Sequence, residues 1–270
     1  MKKRILAILL CICMLLPHAV FSAADDEVPG DANGDGRVSV SDVSLMLRVL
    51  VGLDYRMDWR NRMYCDVNRN FTLDAEDAAI VLRYVAGLVP NLQDPVKLDQ
   101  TLYQDLLKQT MYIDEFTEWI ARYIQTVPSN DAKKVMYAAA KYMGTSYSEL
   151  DCSAYLKAAF ADAGISKDVY PQKSSDGTLK WYQDTTYPER QKYLHKTDDA
   201  SWKSWKPGSV LIYVNVSTGK GSHLALYIGE IEGEPIVMES RRYMVDGVRV
   251  GPLMFSSDSW DLQYYVDPLG

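Results

Sequence analysis

Apolar residues recur at helical spacing through the middle of the chain. Between residues 102 and 128 they return at steps of three and four, which is the period of one face of a helix. The positions are Leu102, Leu106, Ile113, Phe116, Ile120 and Tyr123. The pattern predicts an amphipathic helix or a helical hairpin that serves packing. A second helix is predicted from Asn130 or Asp131 to Gly144, where a glycine ends the periodic stretch.

The last third of the chain changes to the pattern of strands. Short runs at 210–214, 224–228 and 236–240 are rich in β-branched, aromatic and other apolar residues, and they predict strands. A polar turn at 232–235 predicts that the last two strands form an antiparallel hairpin. An apolar stretch at 152–160 predicts a helix ahead of these strands.

The N-terminal segment combines charge, apolar length and small residues in a recognisable order. Basic residues at 2–4 precede an apolar run from Ile5 to Leu16, and small residues at 22–24 lead into acidic positions. This order predicts a signal peptide over residues 1–24 and therefore secretion. The run is too short for a membrane span, and Cys11 lacks the small preceding residue of a lipoprotein signal, so no membrane or lipid anchor is expected.

Charge and cysteine content narrow the classes of function. Three of the 29 basic residues lie in the predicted leader, so against 36 acidic residues the mature chain carries a net charge of about −10. Such an acidic chain is an unlikely nucleic-acid binder. Cleavage would also remove Cys11 and Cys13, leaving Cys65 and Cys152. Two cysteines are too few for a disulfide framework, and we predict that both are free thiols.

A repeat at an offset of 35 residues organises the region after the leader. Residues 42–53 and 77–88 share an initial Asp, a Leu-Arg pair and a Gly-Leu ending. Oxygen-bearing side chains precede each copy at positions 1, 3, 5 and 12 of a loop, the spacing that wraps one calcium ion. The predicted ligands are Asp31, Asn33, Asp35, Arg37 and Asp42 in the first loop, and Asp66, Asn68, Asn70, Thr72, Asp74 and Asp77 in the second, where Thr72 offers its backbone carbonyl.

The two loops differ where the chain must turn sharply. Both end in Asp, not the common Glu, so the chain has to lie closer to the ion. The first loop has Gly36 at position 6, whereas the second has Phe71. A bulky residue forced to positive φ costs of order 1 kcal/mol or more, so the second loop is expected to be the weaker site.

One helix follows each loop, and none of helical length precedes the first. This duplicated unit, residues 28–90, resembles a dockerin. The resemblance implies an all-α module that folds around two calcium ions and binds a cohesin on a scaffolding protein, usually in a cellulosome. The positions that match the family's recognition residues are Val40, Ser41, Arg48, Ala75, Glu76 and Arg83. Loop positions 10 and 11 differ between the copies, which leaves open whether both repeats bind the same cohesin, and the two arginines are equally explained as solvated.

The predicted helix at 152–160 begins with a chemically distinctive triplet, Asp151-Cys152-Ser153. A thiol at a helix N-terminus gains stabilisation of its thiolate, and His223 at the start of a later strand offers a base. A buried structural thiol is the alternative for Cys152. Glu239 on the next strand is a candidate third residue to hold the imidazole, although a solvated strand residue explains it equally well. His195 lies in a Lys- and Asp-rich segment with no predicted strand and is not assigned a role.

This plan of helix and strands resembles the NlpC-type cell-wall cysteine peptidases over residues 131–267. The matching stretches are the 144–147 turn, the 151–153 triplet, 206–209, 223–229 and 238–240. The resemblance implies an α+β papain-like domain with an antiparallel sheet packed on the nucleophile helix. It further implies Cys152 as nucleophile, His223 as base and Glu239 as the orienting group. Tyr147 would assist the Cys152 amide at the oxyanion, and Asp151 and Ser153 would hold the amino end of the substrate.

Departures from the family pattern accompany these matches. Ala154 replaces a glycine, Ser209 replaces an aspartate, and Glu stands at the third position where His is more common. The aromatic-rich segment 168–205 is longer than usual, and its role stays open.

The sequence therefore predicts a leader at 1–24, a dockerin at 28–90, a linker with a helical segment at 91–128 and a peptidase domain at 129–270. The expected function is a secreted, scaffold-docked endopeptidase that cleaves peptidoglycan stem peptides after D-glutamate without a catalytic cofactor. The alternatives are a peptidase or amidase acting on other protein or plant-wall substrates, and a non-catalytic peptidoglycan-binding module.

Overall fold

The computed structural model describes residues 28–197, 201–242 and 245–269. The predicted signal peptide lies outside the described residues. Helices occupy the N-terminal part of the described chain, and an antiparallel sheet occupies the C-terminal part. In these described ranges, none of the helices combines the length and the apolar character needed to cross a membrane.

The sequence repeat is also a repeat in three dimensions. Helices α1 (Val40–Leu50) and α3 (Ala75–Val85) each follow one of the predicted loops, and the short helix α2 (Trp59–Cys65) lies between them. Both repeat helices begin with a capping box, in which the carboxylate at position 12 accepts the cap residue's amide. Helices α1 and α3 pack together around a small core of their own. This core contains Val43, Met46, Val49, Cys65, Val67, Leu73, Ala78 and Val81.

The periodic stretch that follows folds as a hairpin of two helices. These are α4 (Gln100–Leu107) and α5 (Asp114–Thr126), and α6 (Asn130–Ala140) comes next. Their buried residues belong to one large hydrophobic core together with the strands. The segment after the dockerin-like repeat is therefore a packed part of the C-terminal domain.

Helix α7 (Cys152–Asp162) packs against α6 on one side and against the sheet on the other. Helices α8 (Ser175–Gln183) and α9 (Pro188–Gln191) follow it in the aromatic-rich segment. Tyr170 stacks on Phe160 of α7 at a ring distance of 4.0 Å, and Tyr182 is fully buried. Several aromatic residues of this segment thus pack into the core.

The described residues contain a six-stranded sheet with the order β1-β6-β2-β3-β4-β5 and antiparallel pairing throughout. The strands are β1 (Leu194–Lys196), β2 (Val210–Asn215), β3 (Gly221–Ile231), β4 (Glu234–Arg241), β5 (Gly247–Pro252) and β6 (Trp260–Val266).

The expectation that His195 has no strand around it is wrong. His195 pairs with Tyr265, because the short strand β1 satisfies the open edge of β6.

Side chains alternate between the two faces of the central strands. On β2, Val210 and Ile212 join the large core beneath α7, whereas Leu211 and Tyr213 join a smaller cluster on the opposite face. Because α7 packs directly on β3 and β4, the start of this helix lies beside the first residues of β3.

Candidate active site and calcium loops

Cys152 is the first residue of α7 and is 3% exposed. Asp151 is the N-cap, and its carboxylate accepts the amides of Ser153 and Ala154 at 2.8 Å each. The Cys152 amide does not donate to the Asp151 carboxylate in this cap. A thiolate formed here experiences the positive end of the helix dipole.

Strand register brings the predicted base and the predicted third residue together. Glu239 on β4 pairs with Ala225 on β3, so it shares a face with His223 two residues away. Nε2 of His223 lies 2.7 Å from Oε2 of Glu239. This contact leaves Nδ1 as the ring nitrogen available to the thiol, and the neighbouring His223 and Cys152 each shift the pKa of the other.

Two arginines hold the other oxygen of Glu239, and the sequence analysis missed both. Nε of Arg241 lies 3.0 Å from Oε1, and Nη2 of Arg249 donates to the same oxygen. Arg249 lies directly opposite Glu239 in the β4–β5 pair and is completely buried. Glu239 therefore has a histidine on one carboxylate oxygen and two guanidinium groups on the other.

These contacts set the charges of the three candidate residues. Burial raises the pKa of Glu239, but His223 and the two arginines outweigh it and lower the pKa to about 2. Burial lowers the pKa of His223, but hydrogen bonds to Cys152 and Glu239 outweigh this and raise the pKa to about 9. Burial likewise raises the pKa of Cys152, yet His223 brings it below its usual value. The arrangement favours a thiolate–imidazolium pair.

Tyr147 lies on a turn that is fastened to β5. The Gly144 amide donates to the Val248 carbonyl at 2.9 Å, and the Val248 amide donates to the Thr145 carbonyl at 2.8 Å. Gly247 has φ of 108°, and a Cβ there would lie 2.1 Å from the Thr145 oxygen, so only glycine allows this approach. Burial, and after it the charge of the neighbouring Cys152, raises the pKa of Tyr147, which keeps its hydroxyl protonated.

Ser175 is a further neighbour of the nucleophile that the sequence analysis did not find. Its Oγ lies 3.5 Å from Sγ of Cys152, and Ser175 is the first residue of α8. The amide of Gly221 donates to Asp176 at 3.3 Å, which ties α8 to the start of β3. The aromatic-rich segment thus contributes one side of the site.

An open cleft of about 600 Å³ leads to His223. Arg241 and the exposed Arg242 line one side, and the Arg241 guanidinium lies 5.0 Å from the centre of the Trp260 ring. Tyr147 and Ser222 also line the cleft. A cleft with arginines next to an aromatic ring suits a peptide that carries a carboxylate.

Asp151 and Ser153, predicted to bind the substrate's amino end, are coupled to each other. The Ser153 hydroxyl donates to the same Asp151 oxygen that caps the helix, at 2.8 Å. Burial raises the pKa of Asp151, but hydrogen bonds from Ala154 and Ser153 bring it below its usual value. Asp151 therefore remains a carboxylate, which can pair with an ammonium group.

The two predicted calcium loops fold with the same hydrogen bonds. In the first, Asp31 accepts the amides of Asp35 and Gly36, and Asp42 accepts that of Asn33 at 3.2 Å. In the second, the corresponding carboxylates accept the amides at the corresponding positions. The two copies therefore share this set of carboxylate-to-amide hydrogen bonds.

The donors of the second loop fit a hard cation. Burial and the charge of Asp77 raise the pKa of Asp66 to about 7. Burial raises the pKa of Asp77 to about 6, although backbone amides oppose the change. The described part of the chain has no group of three or more His, Cys, Asp or Glu side chains placed to hold a metal ion. Asn68 and Asn70 of this loop add side-chain amide oxygens, which calcium accepts as ligands.

The predicted cohesin-contacting residues lie on the surface. Val40 is 61% exposed, and Ser41, Arg48, Ala75, Glu76 and Arg83 are exposed as well. Apolar side chains of α1 and α3 next to them, including Leu47 and Leu82, are also exposed. Arg48 contacts Asp54 at 3.5 Å. Cys65 and Cys152 are free thiols and both are buried.

Comparison with known proteins identifies two domains. The model of the dockerin type I domain matches residues 29–86, and the model of the NlpC/P60 family matches residues 139–252. Searches of curated proteins and of solved structures gave no match. The papain-like packing expected for the C-terminal domain therefore stays a prediction.

Proposed function

Because the chain contains a dockerin type I domain and an NlpC/P60 domain, we propose that it is a scaffold-docked cysteine endopeptidase that cleaves peptidoglycan stem peptides. NlpC/P60 is a family of cell-wall peptidases, and dockerins bind calcium and cohesins. The observation that carries the proposal is the Cys152–His223–Glu239 arrangement at the start of α7.

In the proposed reaction, the Cys152 thiolate attacks the amide carbonyl carbon. The imidazolium of His223 donates its proton to the leaving amine, and a thioester to Cys152 remains. Neutral His223 then takes a proton from water, whose oxygen attacks the thioester, and the thiolate and imidazolium are restored. Glu239 keeps Nε2 occupied, so that Nδ1 faces the thiol throughout.

The oxyanion of each tetrahedral intermediate would be held by the Cys152 amide and by the Tyr147 hydroxyl. The Asp151 cap does not bind that amide, and Tyr147 is near enough to Cys152 for the two groups to influence each other's charge. Removing one such donor typically lowers kcat by about 10²–10³-fold. Asp151 and Ser153 would bind the substrate's free amine.

The charge of the cleft supports a stem peptide as substrate. Cleavage after D-glutamate places a free carboxylate next to the scissile bond, and Arg241 and Arg242 line the same cleft as His223. Arg242 is exposed and free of the Glu239 contacts, so it is our candidate for pairing with that carboxylate.

The dockerin would deliver this activity to a scaffold. We expect two calcium ions, one in each loop, and a cohesin bound through the exposed positions of α1 and α3. Secretion follows from the predicted leader and fits a cellulosome context. A calcium-dependent binding assay against a panel of cohesins tests this part, and the variants Arg48→Ala and Arg83→Ala show which repeat is used.

The peptidase proposal is tested with defined muropeptides and product identification by mass spectrometry. We expect cleavage after D-glutamate by the wild-type protein and none by Cys152→Ala. Cys65→Ala is the matched control, because Cys65 is also buried but lies in the dockerin core. It should retain hydrolysis.

Other outcomes contradict the proposal in distinct ways. Muropeptides that are bound but stay intact would indicate a non-catalytic binding module. Hydrolysis of proteins, with no action on muropeptides, would indicate the alternative peptidase or amidase. Hydrolysis by Cys152→Ala would mean that another residue is the nucleophile.

A further inference from the structure

The turn between β3 and β4 reaches from the NlpC/P60 domain to the second calcium loop. The Glu232 amide donates to the Phe71 carbonyl at 2.9 Å. The Glu232 carboxylate accepts the Leu73 amide at 2.5 Å on one oxygen and Nη1 of Arg62 at 2.9 Å on the other. Glu232 therefore contacts both the second loop and the helix that precedes it.

These bonds fix the two peptide groups on either side of Thr72. Thr72 occupies loop position 7, whose backbone carbonyl is a predicted calcium ligand. Because the Phe71 carbonyl and the Leu73 amide are both held by Glu232, the orientation of the intervening residue is restricted. The same region of the first loop is open, since Arg37 is exposed and a Cβ on Gly36 would meet nothing within 4 Å.

Phe71 explains why the second loop lacks the usual glycine. Its φ is 65°, as the sequence analysis predicted, and its ring packs edge-to-face on Tyr123 at 5.0 Å. Tyr123 in turn occupies the space over Gly229, where a Cβ would lie 2.1 Å from its hydroxyl. Phe71 is 6% exposed and belongs to the core of the C-terminal domain. The strain of positive φ is thus offset by an interdomain contact.

We propose that the β3–β4 turn is a docking surface for the second calcium loop, and that docking and calcium binding at this loop reinforce each other. A loop already held in its binding conformation loses less conformational entropy when the ion binds. Linkage requires the converse, so calcium in this loop stabilises the contact between the domains. Docking thus opposes the weakening of the second loop that is expected from Phe71 alone.

The inference rests on the calcium-binding role proposed for the dockerin and is tested in the full chain by calorimetric calcium titration. Asp31→Ala and Asp66→Ala backgrounds isolate the second and the first loop. Adding Glu232→Ala should weaken calcium binding about tenfold in the Asp31→Ala background and leave it unchanged in the Asp66→Ala background. Glu234→Ala, on the same hairpin but without a hydrogen bond to the loop in the described contacts, is the matched control and should change neither.

Hydrogen exchange of the otherwise unaltered chain provides a second measurement that needs no change at Glu232. Calcium should slow amide exchange in peptides that cover residues 229–236, and Asp66→Ala should abolish the slowing. Equal weakening of both loops by Glu232→Ala, or no effect on the second loop, would overturn the inference. Absence of any calcium binding by the wild-type chain would instead overturn the proposed role of the dockerin.

Discussion

Two groups of buried carboxylates in this molecule have pKa values shifted in opposite directions. Glu239 in the candidate active site contacts His223, Arg241 and Arg249, and its pKa falls to about 2. Asp66 and Asp77 in the second calcium loop are buried near each other, and their pKa values rise to about 7 and about 6. Burial opposes ionisation in both places, so the difference comes from the neighbouring charges.

The two sites differ in the source of the positive charge that balances their carboxylates: the protein supplies it at Glu239, whereas the calcium loop needs an ion. The negative charge of Glu239 is balanced by cations that the fold itself supplies, so the candidate active site is preorganised. Under the proposed calcium binding, the charges of the loop would be balanced by a cation from solution. Conditions that remove calcium should therefore act on the dockerin and leave the electrostatics of the triad intact.

The largest expected effect on stability comes from removing Arg249, one of the cations that balance the charge of Glu239. Arg249→Met deletes a completely buried partner of Glu239. Breaking a buried ion pair by removing one partner typically costs about 3–5 kcal/mol of unfolding free energy. Chemical denaturation should show this loss. The double variant Arg249→Met/Glu239→Gln should recover much of the stability, and a double variant as unstable as Arg249→Met would show that packing, not charge, is the cause.

Removing calcium should act on the second group of carboxylates, those of the predicted calcium loop. At a free concentration of about 100 Kd, a bound ion adds about 2.7 kcal/mol of stability per site. Circular dichroism and thermal unfolding with and without chelator should show destabilisation of the dockerin helices. The Glu239 contacts do not involve calcium, so alkylation of Cys152 by an uncharged thiol reagent at 25 °C should keep its pH dependence in chelator. An unchanged melting curve in chelator would show that the loop carboxylates do not depend on calcium, and the two groups of carboxylates would then not differ in this respect.

Local patterns predicted much of this molecule. The ligand spacing of the calcium loops, the helix that begins at Cys152 and the hairpin that carries Glu239 each involve a short stretch of sequence. Residues whose partners are distant in the chain were not found. Arg249 lies within an alternating strand, where a charged residue normally faces solvent, and only the pairing of β4 with β5 places it against Glu239.

Ser175 and Glu232 were missed for the same reason. A serine that opens a helix and a glutamate in a tight turn are ordinary features of a surface. Ser175 reaches Cys152 because α8 packs on β3, and Glu232 reaches Leu73 across 159 positions of the chain. Neither contact leaves a local periodic signal.

A smaller effect is expected when Glu239 loses its charge but keeps its shape. Glu239→Gln removes a negative charge that raises the pKa of His223. With a lower pKa, the imidazolium loses its proton at lower pH, so the alkaline limb of kcat/KM should move down by about one unit. Tyr147→Phe is the control, because it should lower kcat without moving that limb. An alkaline limb that stays in place would show that Glu239 does not set the charge of His223.

The smallest effect is expected for a variant that tests whether Arg241 and Arg249 each neutralise part of the charge of Glu239. Arg241→Gln removes one contact to Oε1 of Glu239, while Arg249 retains its own. Because Glu239 remains paired, we expect a loss of unfolding free energy of about 1.5 kcal/mol, at the low end for a single hydrogen bond to a charged group. Arg242→Gln is the matched control for stability, since Arg242 is exposed, lines the same cleft and makes none of the described contacts with Glu239. A loss as large as that of Arg249→Met would mean that Glu239 needs both cations at once, so that each arginine alone leaves the buried charge insufficiently balanced.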